Sequence, residues 1–195
     1  MLKKLIFSAG KFLSLSALLL ALTLPADAKL FVGAGATFFK PLSVTEDVLQ
    51  NSLGINAVFE LRNYCKLWYG LRFDYFSYQK RNDLVFGTPF FTDALYISPE
   101  IRWNIFGDKC YESNFHLYLQ GMLTISSIGA TDDETRLGLG GAAGLGLAYG
   151  FTLFGNPCWL IDLNALYSAP NFIIKPEKRA KLQSINLSLT LSVGL

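Results

Sequence analysis

The sequence predicts an all-β fold, an eight-stranded antiparallel up-and-down transmembrane β-barrel. Three observations carry that prediction. The chain of 195 residues is 51% hydrophobic and only 16% charged, against about 25% charged in ordinary soluble domains. It nevertheless lacks the roughly 18 or more consecutive apolar residues that a membrane helix needs; its longest run, Phe12–Leu24, is short and broken by serines. Its apolar residues instead recur at every second position, the period of a strand with one apolar and one polar face. Disorder is excluded as well, because 16 Phe, 9 Tyr and 3 Trp are too many for a solvated coil.

Residues 1–28 are expected to be a cleaved secretory signal peptide, leaving one barrel domain over 29–195. Lys3, Lys4 and Lys11 form a basic head, an apolar stretch follows, and Ala26-Asp27-Ala28 offers a small-residue cleavage site near Ala28. The formal charge of +2 falls to zero once those three lysines and Asp27 are gone. No basic surface for nucleic acid remains.

Eight strands follow in order. The first places Leu30, Val32, Ala34, Ala36 and Phe38 on one face and Gly33, Gly35 and Thr37 on the other. In the second, Leu53, Ile55, Ala57, Phe59 and Leu61 oppose Asn56, Glu60 and Arg62. The third sets Leu67, Tyr69, Leu71, Phe73 and Tyr75 against Trp68, Arg72 and Asp74. The fourth sets Leu95, Ile97, Pro99, Ile101, Trp103 and Ile105 against Ser98, Glu100, Arg102 and Asn104. In the fifth, Phe115, Leu117, Leu119, Leu123 and Ile125 oppose His116, Tyr118, Gln120 and Thr124. The sixth alternates Leu137, Leu139, Leu145, Leu147 and Tyr149 with Gly and Ala, and the seventh Trp159, Ile161, Leu163, Ala165 and Tyr167 with Asp162 and Asn164. The last alternates Ile185, Leu187, Leu189, Leu191, Val193 and Leu195 with Asn, Ser, Thr and Gly. Strands of about ten residues are long enough to cross a bilayer when tilted.

The connections alternate too. Those around Asn63–Cys65, Gly107–Asn114 and Gly150–Pro157 are short. Those at Lys40–Asn51, Ser77–Thr92, Ser126–Arg136 and Ser168–Lys181 are longer and hold most of the loop charge. An even strand count then puts both termini at the short-turn end, as in membrane barrels.

Alternation alone leaves open which face points inward, since a soluble lipid-carrying barrel shares it. Apolar-out is favoured by long aliphatic stripes on every strand and by aromatic residues near the strand ends. Tyr64, Tyr69, Trp103, Phe106, Phe115, Tyr149 and Trp159 lie towards the turns; Phe38, Tyr75, Phe90, Phe91 and Tyr167 lie towards the loops. The opposite face carries Glu60, Arg62, Arg72, Asp74, Glu100, Arg102 and Asp162, a mixture that suits mutual pairing in a closed interior. Trp68, Tyr96, Tyr118 and Met122 point inward with them, opposite a bare wall that includes Gly33, Gly35, Gly138, Gly140, Gly144 and Gly146.

Signal peptide, eight alternating strands, short turns and an apolar final residue resemble the small OmpA/OmpX-type outer-membrane barrels across residues 29–195. The resemblance implies a multi-pass monomer in the outer membrane of a Gram-negative-type bacterium, in contact with lipid or lipopolysaccharide. It implies that the barrel-assembly machinery reads the last strand, Ile185 to Leu195, although the family commonly ends in an aromatic residue. No peptidoglycan-binding domain of the kind appended in full-length OmpA is expected.

An eight-stranded barrel is only wide enough for side chains to fill it, so a closed interior is expected and a narrow pore is the alternative. The predicted role is structural or surface-interacting, in adhesion or envelope integrity, with an extracellular ligand that the sequence does not identify. A lipid A-modifying barrel enzyme is the other alternative, but His116 has no Ser–His pairing and is expected to be structural. Neither a catalytic group nor a cofactor or metal site is predicted. Cys65, Cys110 and Cys158 each lie in a different short turn. Export permits a disulfide, and an odd count leaves at least one thiol over. The longer middle turn makes Cys110 the expected member of any pair, with Cys65 or Cys158, while three reduced thiols remain the alternative.

Overall fold

The computed structural model describes residues 29–42, 49–62, 66–79, 91–106, 115–130, 136–154, 156–174 and 182–195. Eight antiparallel strands form one closed barrel in sequence order. They are β1 (Lys29–Pro41), β2 (Ser52–Arg62), β3 (Leu67–Ser77), β4 (Phe91–Phe106), β5 (Phe115–Ala130), β6 (Arg136–Leu153), β7 (Asn156–Ile174) and β8 (Ser184–Gly194). Closure by the β1–β8 pair, with Ala34 opposite Leu191, leaves no sheet edge to be satisfied in lipid.

The register sets the tilt. Starting at Phe115, paired residues lead through Tyr149, Ile161, Leu191 and Ala34, then Ala57, Phe73 and Ile97, and arrive at Ile125. One circuit therefore climbs from residue 115 to residue 125 on the same strand. At ordinary strand spacing and rise, that stagger over eight strands corresponds to a tilt of about 40°.

The strands β4 to β7 run past the predicted ends. β5 continues to Ala130 and β7 to Ile174, into stretches the sequence reads as loop. Charge and Gly content mark where a chain leaves the membrane, whereas backbone pairing continues beyond it. On β7 the register jumps between Ala169 and Ile174 while β6 advances only from Gly141 to Leu139. This bulge folds Pro170 and Asn171 towards the barrel mouth, where the Pro170 carbonyl accepts from Ser126 Oγ at 3.1 Å.

The faces are inverted relative to a soluble barrel. Leu53, Ile55, Leu123, Leu163 and Leu189 are exposed on the outside, whereas Glu60, Arg72, Arg102 and Asp162 are buried within. An apolar exterior around a charged interior is the arrangement of a transmembrane barrel.

The bare wall has a steric reason. A Cβ on Gly146 would fall 2.1 Å from Tyr118 Cζ, so the tyrosine ring lies directly on that backbone. At Gly144 a Cβ would fall 1.9 Å from the backbone oxygen of Ala165, which cannot swing aside. Gly144→Ala should therefore destabilise the barrel by about 1–3 kcal/mol through overpacking. Gly121 faces outward with nothing closer than 3.9 Å to such an atom, and Gly121→Ala should be neutral or slightly stabilising. Urea midpoints of the two variants in the same vesicles check the contrast.

Candidate functional site

The site is the interior itself, and the two-residue period puts its parts there. Alternate residues of β2, β3, β4 and β7 project into the lumen, and the stagger brings different strands to one height. Near the turn end, Arg102 reaches across from β4. Its Nη2 lies 2.8 Å from Glu60 Oε1 on β2 and its Nη1 lies 2.7 Å from Asp162 Oδ2 on β7. Its Nε lies 3.2 Å from Glu100 Oε1, near enough for charge pairing. Asp162 also accepts from Tyr118 OH at 2.6 Å and from Asn164 Nδ2 at 3.1 Å. Glu100 is held by Gln120 Nε2 from the next strand. Arg62 completes the cluster, 2.9 Å from Glu60 Oε2.

Arg62 is also the turn-end stopper. Its guanidinium lies 3.9 Å from the centroid of the Phe31 ring and 3.8 Å from that of Trp68. Two aromatic faces around one cation are a strong cation–π arrangement in a desolvated setting. His116 packs edge-on to Trp68 with centroids 5.3 Å apart. That histidine is 3% exposed and belongs to an aromatic stack.

Further up, Arg72 grips Asp74 two residues away on the same strand and face. Nε donates to both carboxylate oxygens, at 3.0 and 2.8 Å, and Nη2 donates to Oδ1 at 2.8 Å. Nη2 also donates to Thr37 Oγ1 at 3.1 Å and to Ser188 Oγ at 2.5 Å. Asn56 bridges onward, donating to Thr37 and accepting from Thr190. Hydroxyls and amides on β1, β2 and β8 thus tie the β3 ion pair to the opposite wall.

All seven charged residues of the predicted interior set lie within this lumen, each at most 7% exposed. The structure brings them together as two groups. Glu60, Arg62, Glu100, Arg102 and Asp162 form one; Arg72 and Asp74 form the other. Three guanidiniums face four carboxylates. Each ion keeps a partner in a low-dielectric space, where a lone buried charge costs several kcal/mol.

Sequence reasoning missed the loop-end closure. Phe39, Phe76, Tyr78 and Tyr96 pack with Leu49, Ala94, Ile128 and Leu182 into a buried apolar lid. Phe39 lies 4.8 Å from Tyr78 and 5.5 Å from Phe76, centroid to centroid, and Phe76 stacks on Tyr78 at 6.0 Å. Tyr78 OH and Tyr96 OH share a hydrogen bond of 2.7 Å. Leu182 is fixed from the bulge, its N–H donating to Asn171 Oδ1 at 2.9 Å. The signal was present: Phe31, Phe39 and Phe76 are large apolar residues standing in the polar phase of their strands.

The predicted disulfide falls on positions outside the described residues. Cys65 and Cys110 are not described, and Cys158 is placed only by the backbone of β7. Residues 1–28 likewise lie outside them. Among the described residues, no three His, Cys, Asp or Glu side chains gather as metal ligands.

No protein-family model matches the chain, and no curated protein sequence matches it significantly. Solved structures do. Neisserial surface protein A (NspA) superposes with a TM-score of 0.59 at 16% identity, over 85% of this chain and 97% of that one. The attachment invasion locus protein Ail of Yersinia pestis gives 0.45 at 15% identity, over 86% and 97%. A second Ail structure, with the heparin analogue sucrose octasulfate, gives 0.44 at 13% identity over the same shares.

Proposed function

We propose that this chain, which has the fold of the small eight-stranded outer-membrane β-barrels, is a sealed barrel that holds its loops at the cell surface for interaction. The observation that supports it is closure at both ends of the lumen. Phe31, Arg62 and Trp68 fill the turn end, the aromatic lid fills the loop end, and the ion network lies between. Among the described residues, side chains thus occupy both ends and the middle of the lumen. What remains for contact is the loop surface, with Asp132, Asp133 and Glu134 in one loop and Lys175, Lys178, Arg179 and Lys181 in another. The short turns then face the periplasm and the long loops face outward, as in other bacterial barrels.

Planar-bilayer recording and cell display test the two halves of this reading. The refolded chain should give no steady conductance, and neither should Phe39→Ala, because the turn-end closure remains. Cells displaying the chain should adhere to host or polysaccharide surfaces more than cells carrying a variant with the loops shortened. A stable channel in the unaltered protein contradicts the seal, and equal adhesion contradicts the surface role.

A further inference from the structure

The turn between β6 and β7 holds an aromatic ring in an unusual way. Leu153 pairs with Asn156, so the chain reverses between them, with Phe154 in the turn. Phe154 has φ of 52°, in the left-handed region where Gly, Asn and Asp are at home and a bulky residue is an outlier. A turn serving only to reverse the chain favours Asn or Asp at such a position. Phe154 is also 92% exposed, more than any other exposed large hydrophobic residue described. The backbone is thus bent against its preference at the residue whose ring has no protein surface to cover it.

The register supplies the surroundings. Allowing for the stagger of the strands, Phe106, Phe115, Phe151, Trp159 and Leu195 fall at one height on the outer wall. They form the turn-end rim of the apolar exterior, and Phe106 and Phe115 touch edge to face with centroids 6.5 Å apart. Phe154 lies three residues beyond Phe151, about 8 Å further along the barrel axis at the tilt above. That distance matches the headgroup layer, which adds about 5–8 Å to each side of the hydrocarbon core. Aromatic rings partition into this zone.

We propose that Phe154 is an interfacial anchor, a ring inserted among the lipid headgroups at the turn end that sets the depth of the barrel in that leaflet. The occupant of its exposed face is lipid, continuous with the lipid already covering the rim. This inference rests on the transmembrane reading of the fold.

The test places tryptophan at the tip. In the chain refolded into phosphatidylcholine vesicles, Phe154→Trp should add fluorescence that headgroup-labelled quencher lipid suppresses more than mid-chain-labelled lipid does. Aqueous acrylamide should quench it weakly. Strong acrylamide quenching with no lipid quenching places the ring in water and overturns the anchor. Trp103, 55% exposed on the outer wall, is the internal control. If lipid fails to quench Trp103 as well, the transmembrane reading itself has failed. A second variant asks whether insertion stabilises. Phe154→Asn should lower the folding equilibrium constant in vesicles about tenfold, the effect of removing a part-buried phenyl ring from lipid. Unchanged or increased stability, as relief of the positive φ alone gives, contradicts the proposal.

Discussion

Arg102→Met is expected to destabilise the barrel by about 3–5 kcal/mol, the range for removing one partner from a buried ion network. The residue is 1% exposed and its guanidinium faces Glu60, Glu100 and Asp162 at once. Methionine fills much of the volume but supplies no charge. Arg62 is then the remaining guanidinium of that cluster, set against the same three carboxylates. Glu60 keeps Arg62 and Asp162 keeps the Tyr118 and Asn164 donors, whereas Glu100 loses its Arg102 contact and keeps the neutral amide of Gln120. The penalty should therefore concentrate on Glu100. Adding Glu100→Gln to Arg102→Met should recover part of the loss. Urea unfolding in vesicles, run as a double-mutant cycle, measures the recovery as a coupling energy. Full additivity would show that Arg102 and Glu100 do not share the network.

The second large effect lies on the opposite face of the wall. Leu189 sits mid-strand on β8, 56% exposed, between Ala36 of β1 and Leu163 of β7. Arginine there should cost about 2–4 kcal/mol, because the charge must sit near the centre of the hydrocarbon. The same substitution at Leu195, 76% exposed at the strand end, should cost about 0–1 kcal/mol, since an interfacial side chain reaches water. Folding free energies of both variants in vesicles provide the comparison. Equal small effects at the two positions would mean that Leu189 faces water.

Much of this was legible from period alone. The register of β8 follows from its strict alternation, because a slip of one residue would turn Leu187, Leu189 and Leu191 into the charged lumen. The facing of Glu60 and Arg102 follows in the same way, since each stands out of phase with the apolar stripe of its strand. Their partnership does not follow. It depends on a stagger that accumulates around the whole barrel, and no local pattern encodes the height at which β2, β4 and β7 meet. The lid was hidden for another reason. Phe39 and Phe76 interrupt the alternation near strand ends, where aromatic residues are expected on the lipid side. Leu49, Tyr78 and Leu182 join them from just beyond the strands, where periodicity gives no guidance. Phe154 was invisible too, because its meaning lies in a backbone angle.

Single-tryptophan variants test the central claim of an apolar exterior around a sealed lumen. Trp68 is 1% exposed inside the barrel, while Trp103 and Trp159 face outward on β4 and β7. Each is retained in turn with phenylalanine at the other two positions, in vesicles carrying a lipid-borne or an aqueous quencher. Lipid quenching of Trp103 and Trp159, with Trp68 protected from both quenchers, is the predicted result. Aqueous quenching of Trp68 at the rate of a free indole, or outer tryptophans untouched by the lipid quencher, would contradict the account.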